Sequence, residues 1–134
     1  MPVVSPEFIK AREKFSAWYN NKPVDMQELI DKIADRTYSI IAEDEYDAFI
    51  QELCDLDITD ASTFDDAFFG EYDGIGEDVY GTFCEQFYDE LGMMPDDSVI
   101  RNCIDWNQVW YYSMQHDYYP LQFKGNTYIF NRNY

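Results

Sequence analysis

Apolar side chains at Phe8, Ala11, Phe15 and Trp18 follow the 3-4-3 spacing of one helical face, predicting a helix over residues 6–19. Ser5 suits its cap and Pro6 its first helical position. The segment Asn20-Asn21-Lys22-Pro23 breaks it. A second helix is expected near Asp25, with Glu28 as capping-box partner and Met26, Leu29, Ile30 and Ile33 as its stripe; it ends somewhere between Asp35 and Ala42. A third is predicted over 43–55, with Tyr46, Phe49, Ile50 and Leu53 inward and Glu43, Asp44, Asp47, Glu52 and Asp55 outward.

After a loop from Asp57 to Ser62, Thr63 is expected to cap a short turn bearing Asp65, Asp66 and Phe68. Gly70, Gly74 and Gly76 suggest an irregular stretch. A fourth helix over 77–91 has Val79, Tyr80, Phe83, Phe87 and Leu91 on its core face, and Glu77, Asp78, Glu85 and Asp89 outside. Gly92 then fits a helix C-terminus. Asp96 or Asp97 is expected to cap a short helix ending near Asn102. Asp105 is expected to cap another running to about His116, with Trp106, Val109, Trp110 and Ser113 inward.

The period then changes. Tyr119, Leu121 and Phe123 alternate with Pro120 and Gln122, Lys124-Gly125-Asn126 reads as a turn, and Tyr128 and Phe130 resume the alternation. That is a β-hairpin of roughly 118–123 with 127–131, which needs helices or a further strand to be stable. The expected class is α+β: a mostly helical acidic domain with a small C-terminal hairpin or sheet. Three segments are expected: a neutral helical segment at 1–42, an acidic helical lobe at 43–97, and an aromatic-rich lobe at 98–134.

Charge changes this picture most. The chain has 134 residues with 27 acids and nine bases, a net charge of −18. Residues 1–36 are neutral, with six of each sign, whereas residues 37–100 hold 19 acids and no Lys or Arg. Salt adaptation would acidify the whole surface, and ordinary surfaces mix both signs. A disordered acidic tail would lack the Phe49, Leu53, Phe64, Phe83 and Phe87 interleaved here. Such a charge excludes nucleic acids and anionic membranes as partners for a basic patch and favours basic protein surfaces.

No apolar run is long enough to span a bilayer, and Met1 to Lys10 lacks a secretory pattern. Cys54, Cys84 and Cys103, odd in number and widely spaced, read as reduced and mostly buried thiols of a cytoplasmic protein.

Enzyme chemistry finds little support. Asp55-x-Asp57-x-Thr59 begins like a calcium loop, but Asp60 stands where the turn needs Gly and Asp66 where a bidentate Glu would close the shell. Paired carboxylates are expected by coincidence among so many acids, and a nuclease would need cations to hold DNA. His116 with a cysteine, and Gly74-x-Gly76 without the rest of a phosphate fingerprint, are equally weak. No catalytic residue, metal or cofactor is expected.

The acids suit another role. Duplex DNA carries one charge per about 1.7 Å, so 19 charges correspond to about 32 Å, roughly one turn. The candidate phosphate-mimicking surface comprises Glu43, Asp44, Asp47, Glu52, Asp55, Asp65, Asp66, Glu71, Asp73, Glu77, Asp78, Glu85, Asp89, Asp96 and Asp97. Trp110, Tyr111 and Tyr112 cannot all face inward on one helix; with Tyr118 they are candidates for a homodimer interface.

From about residue 64 the chain resembles the ArdA antirestriction proteins. The resemblance lies in Phe69-Gly70-Glu71-Tyr72 and the acidic helix with Phe83 and Phe87 ending at Leu91-Gly92. It continues through Ile104-Asp105-Trp106, the aromatic helix to Tyr112, Asp117-Tyr118-Tyr119, and Gly125 with Tyr128-Ile129-Phe130. It implies an elongated, often dimeric mimic of bent DNA, encoded by a phage or mobile element. Such a protein acts in a bacterial cytoplasm by occupying the DNA-binding surface of Type I restriction-modification enzymes. The alternative is an acidic phage-encoded protein that binds another basic DNA-binding partner without mimicking DNA.

Overall fold

The computed structural model describes residues 6–132; Ser5, Tyr134 and the side chain of Phe8 lie outside the described residues. The fold is α+β and mostly helical, with seven α-helices and one three-stranded antiparallel sheet among the described residues. It divides into two compact units, one ending at Asp66 and the other starting at Ala67. That boundary falls inside the expected 43–97 lobe, so the acidic segment is shared between the units.

The first unit contains α1 (Pro6–Asn20), α2 (Val24–Arg36), α3 (Glu43–Asp55) and α4 (Ala61–Ala67), whose last residue crosses the boundary. Its buried side chains include Leu29, Ile30 and Ile33 from α2 and Tyr46, Phe49, Ile50 and Leu53 from α3, the faces expected from periodicity. On α1 the expected face is shallower: Ala11 is exposed, and Phe15 and Trp18 are half-buried. These two rings instead lean on Tyr46, with centroids 5.9 and 5.8 Å away.

Two helix starts differ from expectation. Pro23 precedes α2 and offers no side-chain cap; Asp25 lies within the first turn, where its charge favours the dipole. The cap of α4 is Asp60, whose Oδ1 accepts from the Thr63 amide at 2.7 Å; Thr63 lies inside the helix. This contact holds the Asp60 carboxyl below its ordinary pKa.

The second unit contains β1 (Phe68–Asp73), α5 (Glu77–Glu90), α6 (Ser98–Asn102), α7 (Trp106–Tyr112), β2 (Tyr118–Phe123) and β3 (Asn126–Asn131). The strand order is β1-β3-β2, which puts Pro120 of β2 on an edge strand, where its missing amide is tolerated. The hairpin turn uses positive φ at Lys124 and Gly125, as a two-residue turn requires.

The stretch expected to be irregular is strand β1. Its register with β3 slips between Phe68 and Gly70, so Phe69 is an extra residue that breaks the period-2 pattern. Its far end is held through Asn126 and Thr127: Asn126 Nδ2 donates to Glu71, and Thr127 Oγ1 donates to Gly74 O at 2.8 Å.

Phe83, Cys84, Trp110, Met114 and Ile129 form a buried cluster in this unit. Leu91, expected in the core, is 57% exposed because α5 stops at Glu90 and the chain turns at Gly92 with φ +70°. The aromatic helix stops at Tyr112 rather than near His116. A 3-10 turn over Met114–His116 follows, burying Met114 and leaving Ser113 exposed.

Candidate protein-interaction surface

Residues 1–66 hold 16 acids against six bases, and residues 67–134 hold 11 against three. Each unit is therefore strongly anionic by itself. Of the candidate carboxylates, Glu43 and Glu71 are half-buried and the others are exposed.

On α3 the helical repeat puts Asp44, Asp47 and Asp55 along one face, with Glu43 and Glu52 beside it. Glu45 has another job: its Oε1 accepts from the Ala42 amide at 3.0 Å, closing the helix start. On α5 Asp78, Glu85 and Asp89 share a face, and Glu77 opens the helix. Glu90 joins Asp89 in a last turn that contains no cation. Asp73 and Asp96 lie exposed outside these helices. Asp97 caps α6 by accepting from the Val99 and Ile100 amides at 2.8 and 3.3 Å.

Two candidates are partly neutralised by the N-terminal bases. Asp47 pairs with Lys22 at 3.1 Å, and Asp65 pairs with Arg36 at 2.6 Å and Lys32 at 3.9 Å. Sequence reasoning missed these contacts because they join residues 25 to 33 positions apart with no local pattern between them. The pairing leaves Asp66, next in sequence, exposed. Negative charge also acts on phenols. Tyr46 is raised above its ordinary pKa first by burial and then by Glu45 and Asp31.

The aromatic candidates separate into two kinds. Trp110 is 6% exposed, stacks on Tyr80 and meets Phe83 edge-on; it is a core residue. Tyr118 is half-buried among Phe69, Phe83 and Phe87. Tyr111 and Tyr112 are 62% and 72% exposed and touch each other edge-to-face. Only these two present broad surface to another molecule.

The thiols depart from the mostly buried expectation: Cys84 is buried, but Cys54 and Cys103 are exposed. Among the described residues no three His, Cys, Asp or Glu side chains are grouped to hold a metal. Nor is any described helix long and apolar enough to cross a membrane. No family model, curated protein or solved structure matches the chain.

Proposed function

We propose that this protein is a DNA-mimic inhibitor that occupies the DNA-binding surface of a bacterial defence enzyme, most specifically a Type I restriction-modification system. One observation carries the reading: two separate helices, neither containing a Lys or Arg, bear acids at a mean axial density close to the charge density of a nucleic-acid strand. Helix α3 bears six acids over 13 residues. At 1.5 Å per residue that is about one charge per 3 Å, against about 3.4 Å for one DNA strand. Helix α5 bears five acids over 14 residues, about one per 4 Å.

Folded helices fix these charges before the partner arrives, so binding avoids the ordering entropy an acidic tail would lose. Opposite fields steer the encounter, giving fast and salt-sensitive association. In this reading the protein is encoded by a phage or mobile element and acts in the bacterial cytoplasm. Exposed Tyr112, which lies outside the α5–α7 cavity, is then the residue for a homodimer contact.

The test is competition. Purified protein at low salt should displace duplex DNA from Type I enzymes; failure there, and against other bacterial DNA-binding proteins, sinks the reading.

A second reading, a docking protein for one basic partner without DNA mimicry, draws support from Leu91, Met93, Val99 and Ile100. All four are more than half exposed around the end of α5 and on α6. Stepwise Asp→Asn and Glu→Gln changes separate the two: a mimic loses affinity gradually, a docking protein at a few hot spots.

A further inference from the structure

A cavity of about 270 Å³ opens in the second unit between α5 and α7. Its walls include Glu77 and Tyr80 from α5, Asn107, Trp110 and Tyr111 from α7, and Gln115 from the 3-10 turn. No Lys or Arg lines it. We propose that this cavity receives an arginine side chain from the basic partner, with the guanidinium against the aromatic wall and its charge answered by Glu77.

Three properties select that occupant. The first is sign. The Glu77 carboxylate is among the lining groups, and the α7 amides that would attract an anion are already taken. Asn107 and Gln108 N–H both donate to Asp105 Oδ1, at 3.1 and 3.3 Å. A phosphate or nucleotide is therefore repelled, and a cation is favoured.

The second is shape and surface. Tyr80 and Trp110 stack at 4.9 Å with a 20° tilt, and the Tyr80 hydroxyl accepts from Gln122 Nε2 at 2.7 Å. The Gln115 amide nitrogen donates to Tyr111 O, so this part of the wall is also held. With Trp110 only 6% exposed, the aromatic surface open to a planar cation is that of Tyr80 and Tyr111, and a guanidinium presents five donors to the carboxylate and amide oxygens. Lysine offers a compact, more strongly hydrated charge and should fit less well.

The third is size. The cavity lies just below the range of pockets for drug-sized ligands, about 300–1,000 Å³, which suits a single side chain. A glycine sets how near the two helices that line the cavity come to each other. Gly81 of α5 is buried, and a β-carbon there would run into the Asn107 side chain, so the glycine lets α7 approach closely.

The choice of a protein arginine as occupant rests on the basic-partner reading; the cavity chemistry does not. A surface that binds DNA is rich in arginines that normally address phosphate and base edges. One of these seated between α5 and α7 would fix register on a target that α3 and α5 otherwise attract only through charge.

The experiment is an NMR titration of the full chain with N-acetyl-arginine amide and, separately, N-acetyl-lysine amide at constant ionic strength. With the arginine probe, the Trp110 indole and the Tyr111 and Gln115 amide signals should shift and saturate. The lysine probe should bind at least fivefold more weakly. Glu77→Gln and Tyr111→Ala, both at exposed positions, should each weaken the arginine probe at least threefold. Equal binding of both probes, shifts confined to other acidic surface, or unchanged affinity in both variants overturns the proposal. The DNA-competition assay separates this from the parent reading. Arginine seated without DNA displacement removes the mimic and keeps the site, whereas displacement without seating does the reverse.

Discussion

Lys22 Nζ lies 3.1 Å from Asp47 Oδ1, tying the link between α1 and α2 to the acidic face of α3. The other carboxylate oxygen accepts from the Trp18 indole N–H at 3.2 Å, and the Lys22 ammonium also sits 5.0 Å from the Trp18 ring. This three-residue contact brings a base of the neutral N-terminal segment onto the acidic block. It relieves part of the repulsion that a net charge of −18 imposes on a folded chain.

Lys22→Met should therefore destabilise the protein by less than about 1 kcal/mol, since both partners retain solvent exposure. Urea unfolding at low and high salt checks this. Added salt should stabilise both proteins by screening the general repulsion, while the difference between them shrinks. A difference that grows with salt would mean that Lys22 acts through packing rather than charge.

Neighbouring aromatic residues should behave in opposite ways. Trp110→Ala removes a side chain that is 6% exposed from the stack with Tyr80, and should cost about 3–5 kcal/mol. Tyr111→Ala, at a position 62% exposed, should stay within about 0.5 kcal/mol for the monomer. Chemical denaturation with sedimentation of each variant makes the comparison. A Tyr111 variant as damaged as the Trp110 variant would place Tyr111 in a dimer that stability depends on.

This contrast shows where sequence was informative. Local pattern predicts α3 with its observed ends, the buried faces of α2 and α3, the cap at Asp105, a cap at either Asp96 or Asp97, and the hairpin, because each follows from local chemistry. It failed at β1, where Phe69 in the bulge hides the alternation and pairing to β3 spans more than 50 residues. It failed again after Tyr112, where helical periodicity continues in sequence but the backbone departs at Ser113. The surface acids were legible by type, since a charged residue without a partner seeks water. Their pairing with Lys22, Lys32 and Arg36 was not, because only tertiary structure brings those residues together. The cavity between α5 and α7 is equally invisible in sequence, where Glu77 reads as an outer-face acid, Tyr80 as a core residue and Trp110 as an inward ring or dimer contact.

Thiol chemistry offers an independent check on the core. Burial pushes the Cys84 pKa up to about 12 from 9.0, whereas Cys54 and Cys103 are exposed. A thiol reagent at neutral pH should label two cysteines in the native protein and the third only after denaturation. The raised pKa also sets a direction with pH. Between about 9 and 12 the unfolded chain releases the Cys84 proton and the folded chain keeps it, so stability falls as pH rises. Cys84→Ala should flatten that fall. Rapid native labelling of all three thiols would contradict the buried position.

Asp89 separates stability from function. It lies with Glu90 in the last turn of α5, where the helix dipole is negative and the turn itself holds no Lys or Arg. Asp89→Asn removes a repulsive charge at that end and should stabilise the fold by about 0.3–1 kcal/mol. If α5 stands in for a phosphate strand, the same change should weaken binding to the DNA-binding partner and reduce its salt dependence. The two effects then have opposite signs, as expected where a charge is retained for binding at the expense of the helix. Denaturation and DNA competition on one preparation give both quantities. A more stable variant with undiminished inhibition would remove Asp89 from the interacting surface. A less stable one would show that the carboxylate supports the α5 terminus after all.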